Sequence, residues 1–291
     1  MKPSMGERAY LTGVYLVLTV VALLCLLPLM HIASLSASSL QAVSSGRVTL
    51  LPVELTFAAY AQLFERTPIL SSLTNSVIIT AVGVTLSMAF TILAAYPLTR
   101  PYFWGRRVIT LGIVFTMLFN GGLIPTYLTI RSLELINTYW ALWLPGLVSV
   151  FNMLVLRTFI ENIPGEVDEA SRMDGCGEWR YLLQIVLPLS MPVLATLALF
   201  YGVGYWNSFF SVLMYINEPA KYNIAVLVQQ MIQSQMMLAQ MNGLESSEQL
   251  VLTPDMVNSA AIIIMVLPML AIYPFLQKYF VKGVMIGAVK G

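Results

Sequence analysis

The chain has 291 residues, 58% of them apolar and only 10% charged, with a net charge of +1. A water-soluble domain carries about 25% charged residues, so lipid must be the solvent for much of this chain, and the near-zero balance gives no basic surface for nucleic acid. Two cysteines, Cys25 and Cys176, are too few for a disulfide framework, and the single histidine, His31, has no Cys or carboxylate at ligand spacing. Two free thiols and no metal site are expected, with His31 at a membrane interface.

A helix needs roughly 20 mainly apolar residues to cross the hydrocarbon core. Six stretches qualify, at about 11–33, 70–96, 108–130, 138–160, 190–214 and 257–280. The expected fold is therefore an all-α integral membrane protein, one transmembrane domain over 1–291. The first stretch follows Lys2 and Arg8, as a signal peptide would. Its apolar run exceeds the roughly 7–15 residues of a signal peptide and no A-x-A site follows, so it reads as a retained helix. A Ser-rich segment with Pro52 and Pro68 comes next, about 34–69. Asn75-Ser76 opens the second span. The third contains Phe119-Asn120-Gly121-Gly122-Leu123-Ile124-Pro125-Thr126-Tyr127, where the helix is expected to be interrupted at Asn120, Gly121 and Gly122.

Between the fourth and fifth spans, 161–188 is polar. Pro164 suits a helix first turn, and the acidic residues just after it suit the positive end of the helix dipole. Gly175 suits the left-handed position that ends a helix. A second short helix follows, with Trp179, Leu182, Leu183 and Val186 spaced to share one face, before Pro188 and Pro192. The pattern predicts a stiff helix–turn–helix, and periodicity alone leaves open whether it grips a partner or lies at the interface. The fifth span carries Tyr201, Tyr205, Trp206 and Asn207. After it, the 217–256 segment holds Ile224, Leu227, Val228, Met231 and Ile232 at helical spacing among glutamines. That predicts an amphipathic helix over 223–241, either lying on the membrane or docking an external partner.

Basic residues set the orientation. With the N-terminus in the cytoplasm, eleven fall inside (Lys2, Arg8, Arg100, Arg106, Arg107, Arg157, Arg172, Arg180, Lys278, Lys282 and Lys290) and four outside (Arg47, Arg66, Arg131 and Lys221). Six spans then put both termini in the cytoplasm and the 161–188 loop with them. Every charged residue falls in a loop or near a span end. No ionisable residue stands in mid-membrane, as a proton-coupled carrier would usually need. A stand-alone secondary carrier or channel is the alternative reading.

Glu169-Ala170-Ser171-x-x-Asp174-Gly175-Cys176, followed by Ile185-x-Leu187-Pro188, resembles the EAA motif of bacterial ABC importer permeases, roughly E-A-A-x-x-D-G-A and then F-x-x-I-x-L-P. Ser171 and Cys176 stand for Ala, and Leu182 for the usual Phe. The tail Gly287-Ala288-Val289-Lys290-Gly291 resembles that of maltose-type (MalG-like) permeases. Trp206-Asn207 resembles W-N-[DE]-F with Ser208 in place of the acid. Asn75-Ser76 and the 119–127 run resemble the oligosaccharide and polysaccharide importers of the LplC kind, which include alginate importers.

The resemblance implies a type I ABC importer permease in the bacterial inner membrane. Its partners would be a second homologous permease, two ATP-binding cassette subunits and an extracytoplasmic solute-binding protein. The loop would dock on the ATPase through Glu169, Ala170, Ser171, Asp174, Gly175, Leu182, Ile185, Leu187 and Pro188. The tail would reach between the ATPases through Gly287, Lys290 and Gly291. The chain has no G-x-x-x-x-G-K-[ST] phosphate loop, so ATP and Mg are expected on the partner ATPase and no catalysis on this chain. A sugar crossing the membrane needs hydrogen bonds and flat apolar faces. Asn120, Gly121, Gly122, Tyr201, Tyr205, Trp206 and Asn207 are the candidate pathway residues, although Tyr and Trp also pack between helices and Gly also permits close helix approach.

Overall fold

A computed structural model describes residues 5–241 and 253–288, and every regular element among them is helical. In chain order these are α1 (Met5–Ser36), α2 (Leu40–Ser44), α3 (Ala58–Arg66), α4 (Ile69–Thr99), α5 (Arg106–Leu118), α6 (Leu123–Ser132), α7 (Trp140–Trp143) and α8 (Val150–Glu161). They continue with α9 (Gly165–Met173), α10 (Glu178–Tyr181), α11 (Leu187–Leu189), α12 (Met191–Trp206), α13 (Phe209–Tyr215), α14 (Ile224–Met241) and α15 (Pro254–Ala288). A π-helical stretch, Leu182–Val186, joins α10 to α11.

Three of the expected spans are single helices. α1, α4 and α15 are each long and apolar enough to cross a membrane. The other three are broken. α5 and α6 meet at 113° across Phe119–Gly122, as the Asn-Gly-Gly run foretells. Gly122 takes φ +89 there, and the Asn120 carboxamide oxygen accepts the Gly122 N–H at 2.9 Å. The fourth stretch, expected to be continuous, is split by Leu144–Ser149 into α7 and α8. Pro145 and Gly146 lie in that gap, and Ser149 restarts the helix by accepting the Asn152 N–H. The fifth ends at Trp206, where Asn207 and Ser208 turn the chain before α13. Hydropathy windows register composition and pass over such breaks.

The chain forms two compact units. One comprises Met1–Leu70 with Leu227–Leu267, the other Ser71–Val226 with Pro268–Gly291. In the first, the most apolar stretch of α1 buries nothing inside the chain. The Ser-rich segment after it is ordered by its own hydroxyls. Ser34 Oγ donates to the Leu50 carbonyl at 2.7 Å, and Ser38 Oγ accepts the Val53 N–H at 3.0 Å. His31 Nδ1 lies 2.6 Å from the Thr49 carbonyl.

The second unit holds two buried clusters. One joins Ala95, Tyr96 and Leu98 of α4 to Met153, Leu156 and Ile160 of α8 and to Tyr181, Leu182, Val186 and Leu197. The other gathers Ile79, Trp143, Tyr201, Tyr205, Val212 and Val226, and the Trp143 indole N–H donates to the Ile79 carbonyl at 3.1 Å. Asn75 Nδ2 donates to the Ala220 and Tyr222 carbonyls at 2.8 and 3.0 Å, and Ser76 Oγ accepts the Ile224 N–H at 2.8 Å. The start of α14 is thereby drawn inward, with Ile224 and Val226 fully buried. The pattern at 223–241 predicts an amphipathic helix, lying on the membrane or docking an external partner, and does not foretell this buried start. The bonds from Asn75 and Ser76 are the local reason for it.

Candidate functional site

The 161–188 loop folds as the helix–turn–helix its sequence suggests. Glu166 and Asp168 occupy the first turn of α9, where the dipole favours them. At its other end the Gly175 N–H donates to the Arg172 carbonyl at 3.0 Å and the Cys176 N–H to the Ser171 carbonyl at 2.9 Å. This paired closure requires a left-handed residue, and Gly175 supplies it with φ +69.

The departures from the motif are absorbed locally. Ser171 is buried, and its hydroxyl donates to the Asp168 carbonyl at 2.7 Å. Cys176 is half-buried against the core and Leu182 is 3% exposed. Glu169, Ala170, Asp174 and Pro188 are exposed, while Ile185 and Leu187 are half-buried. The apolar face read for the second short helix divides. Leu182 and Val186 enter the core with Tyr181, whereas Trp179 and Leu183 remain 68% and 59% exposed. The π-helical stretch changes the residue spacing around the axis. It lies where Pro188, in an α-helix, would crowd the Gln184 carbonyl and offer it no N–H.

What fixes the loop lies outside the motif. Arg100 directly follows α4 and is buried. Its guanidinium pairs with Asp168 of α9 at 3.1 Å and with Glu178 of α10 at 3.4 Å. Arg172 spans the same two carboxylates from the solvent side, at 3.2 and 3.4 Å. Tyr96 accepts from Arg100 and donates to Glu178 Oε2 at 2.5 Å. The rings of Tyr96 and Tyr181 cover the guanidinium, 4.4 and 4.7 Å from their centroids. Burial pushes the Glu178 carboxyl up. The Tyr102 and Tyr96 hydroxyls and the charges of Arg100 and Arg172 outweigh that and hold it below its ordinary value. Sequence reading passed over this ring because its members are distant along the chain. The available signal was an arginine closing an apolar helix just before Pro101, with Tyr96 one turn back.

A cavity of about 440 Å³ opens in the same unit between the α7–α8 gap and α12–α13. Tyr201 and Tyr205 line it, but their hydroxyls are already engaged. The Tyr201 oxygen lies 2.6 Å from Thr91 Oγ1 and accepts the Ser149 N–H at 2.9 Å, and the Tyr205 oxygen lies 2.9 Å from Ser87 Oγ. Polar surface comes from residues not singled out in the sequence, namely Ser149, Asn152, Ser208 and Ser211, beside the exposed rings of Phe151 and Phe200. Asn152 is 4% exposed, and its backbone N–H donates to Ser149 Oγ at 3.4 Å. Trp206 is buried without lining the cavity, and Asn207 Nδ2 is bonded to the Val203 carbonyl at 3.0 Å. Asn120, Gly121 and Gly122 are exposed at the α5–α6 break and do not join the cavity lining. Gly287 falls within α15, and Lys290 and Gly291 lie outside the described residues. Among the described residues no group of acidic, Cys or His side chains is arranged to hold a metal.

The chain is similar to known transport proteins along nearly its whole length. It is 39% identical over 289 residues to the polygalacturonan/rhamnogalacturonan transport system permease protein YtcP of Bacillus subtilis, covering 99% of this chain and all of that one. It is 40% identical over 272 residues to the protein LplC of the same organism, covering 93% and 91%. Among solved structures, a bacterial ABC transporter involved in the import of the acidic polysaccharide alginate matches with a TM-score of 0.85 at 31% identity, over 96% of this chain and 99% of that one. Residues 67–286 carry the pattern of the binding-protein-dependent transport system inner membrane components, and the chain belongs to that family.

Proposed function

We propose that this chain is one of two permease subunits of an ATP-driven carbohydrate importer in a bacterial inner membrane, and that its cargo is an oligosaccharide, with uronate chains such as alginate inside that class. It crosses the membrane six times as one permease domain with both termini in the cytoplasm, the broken third, fourth and fifth stretches each counting as one span. Its partners are a second homologous permease, two ATPases that bind ATP and Mg, and an extracytoplasmic solute-binding protein. The chain itself carries out no catalysis.

The observation that carries this reading is the Gly165–Leu189 helix–turn–helix. Its inner edge is tied to the core through Arg100, and its outer edge presents Glu169, Ala170 and Asp174 to solvent. A stiff projection with a bare motif edge suits a changing partner surface. Glu169 pairs there with a basic residue of the ATPase, and the tail at Gly287, Lys290 and Gly291 reaches between the two ATPases.

The cavity of the second unit supports the cargo class. Its lining is uncharged, with hydroxyl and carboxamide groups beside two phenylalanine rings. Such a surface replaces the water lost by sugar hydroxyls and offers flat faces for a pyranose ring. YtcP and the alginate importer are both named for polymers of acidic sugars. In the membrane, irregular backbone is tolerated at depth only where it is buried or lines a cavity, and the α7–α8 gap borders this one.

The test is reconstitution in liposomes with candidate partners encoded nearby. ATP-dependent uptake of an oligosaccharide that needs the ATPases, both permeases and the binding protein is expected. Uptake by this chain alone would overturn the reading in favour of a stand-alone carrier or channel.

A further inference from the structure

We infer that Arg100 is a positioning residue for transport, the tie through which the loop drags the end of the second span when the ATPases move. This rests on the reading that the loop docks an ATPase, and it adds a load path that the motif does not contain.

By covalent connection, the loop is joined only to α8 and α12. Arg100 adds a third attachment, at the end of α4. One guanidinium faces a carboxylate from each arm of the helix–turn–helix: Nη1 is hydrogen-bonded to Asp168 of α9 at 3.1 Å, and Nε lies 3.4 Å from Glu178 of α10 without a hydrogen bond, the Tyr96 hydroxyl bridging Arg100 to that carboxylate. Arg172 closes the figure from outside, so that Arg100, Asp168, Arg172 and Glu178 form a ring of alternating charge. The two arms are cross-tied and move as one body. The planar fork of arginine suits the task because it serves Asp168 and the Tyr96 hydroxyl together in a fixed geometry, whereas lysine is a point charge.

Burial makes the tie stiff. Arg100 is 8% exposed and lies between the rings of Tyr96 and Tyr181. It has little freedom to swing when Asp168 and Glu178 shift. Both carboxylates sit on the inner edge of the loop, while Glu169 and Asp174 on the outer edge are exposed. A displacement at the outer edge therefore reaches α4 through the ring as well as α8 and α12 through the chain.

The experiment uses the whole importer, reconstituted with its ATPases, second permease and binding protein, and reads sugar taken up per ATP hydrolysed. For Arg100→Gln we expect the ATPases to co-purify with the permease while uptake per ATP falls about tenfold. Arg100→Lys should recover part of it. A purely structural role would lower the amount of complex and leave the ratio unchanged. An unchanged ratio in Arg100→Gln overturns the proposal. Should that chain not be recovered from the membrane, Glu178→Gln removes only the α10 arm. A several-fold fall in the ratio then supports the tie, and no change overturns it. Glu169→Lys separates the two readings: if the ATPases stay bound to that variant, it is the docking surface that has been misassigned, whatever the Arg100 variants do.

Discussion

The ring of Tyr205 lies against the bare backbone of Gly83, so closely that a Cβ on the glycine would stand 2.7 Å from the ring. The same tyrosine reaches Ser87, one turn further along α4, with its hydroxyl at 2.9 Å. Gly83 thus sets how near α12 comes to α4, and the ring fills the gap it leaves. Gly83→Ala should cost about 1–3 kcal/mol by overpacking, read as a lower midpoint in thermal unfolding of the detergent-solubilised protein. Tyr205→Phe keeps the ring and removes one hydrogen bond, so its cost should be about 1 kcal/mol.

Gly175 has open space around it, and its positive φ is its whole constraint. Gly175→Ala should therefore strain the turn by about 1–2 kcal/mol without any clash. Gly175→Asn, which tolerates the left-handed region better, should lose less. If the loop docks the proposed ATPases, their co-purification with each variant should follow the order native first, then Asn, then Ala. Equal recovery of all three would show that the turn is not needed for docking.

Asn152 is buried at a cavity wall. Asn152→Leu keeps the volume and removes the polar group. If a sugar hydroxyl meets that carboxamide in passage, uptake at low sugar should fall about tenfold or more, because one lost hydrogen bond to a buried polar group costs on the order of 1–3 kcal/mol. ATPase binding should be unaffected. Full uptake by the variant would remove Asn152 from the pathway.

The depressed pKa of Glu178 fixes the sign of a pH effect. A carboxyl whose folded pKa lies below its unfolded one adds stability above the unfolded value, and that contribution is lost as pH falls through the folded value. The loop should hold unchanged at neutral pH and loosen only below the ordinary glutamate value of 4.5. Hydrogen exchange over 165–189 at descending pH would show this. In Glu178→Gln the Glu178 contribution should be absent at every pH.

Asn75 offers a smaller test at the opposite end of α4. Its amide serves the Ala220 and Tyr222 carbonyls together. Asn75→Ala should cost about 1–2 kcal/mol and raise hydrogen exchange in 219–226, with little change in the 161–188 loop.

How much of this could be read from the residues depended on how local the cause was. α1, α4 and α15 are single apolar runs, and their lengths follow from composition. The 165–175 helix and its ending follow from Pro164, the acidic first turn and Gly175, all within a dozen residues. The break at Asn120–Gly122 was marked by its glycines. The gap at Leu144–Ser149 was equally marked, by Pro145-Gly146, and was hidden by the high hydropathy on either side. Arg100 itself was marked by its place at the end of an apolar helix, but its partners were beyond reach, because Asp168 lies 68 residues away and Glu178 further still. A charge in the sequence does not name its partner. Likewise Tyr201 and Tyr205 could be placed in the fifth span, yet their hydroxyls go to Thr91, Ser149 and Ser87, and the groups facing the cavity come from elsewhere.

The helix that leaves the loop and the helix that enters the membrane meet at 81° at Ser190. Two stiff arms near a right angle make a crank. A push across the first arm, at right angles to both, turns the second about its own axis without lengthening or shortening it. α12 carries Phe200 and Tyr201 on the cavity side and Tyr205 a turn above, so a modest swing of the cytoplasmic arm would present a different strip of α12 to the cavity. Torque of this kind needs no sliding of helices past one another, and it would first load the contacts of Tyr205 with Gly83 and Ser87 and of Tyr201 with Thr91 and Ser149.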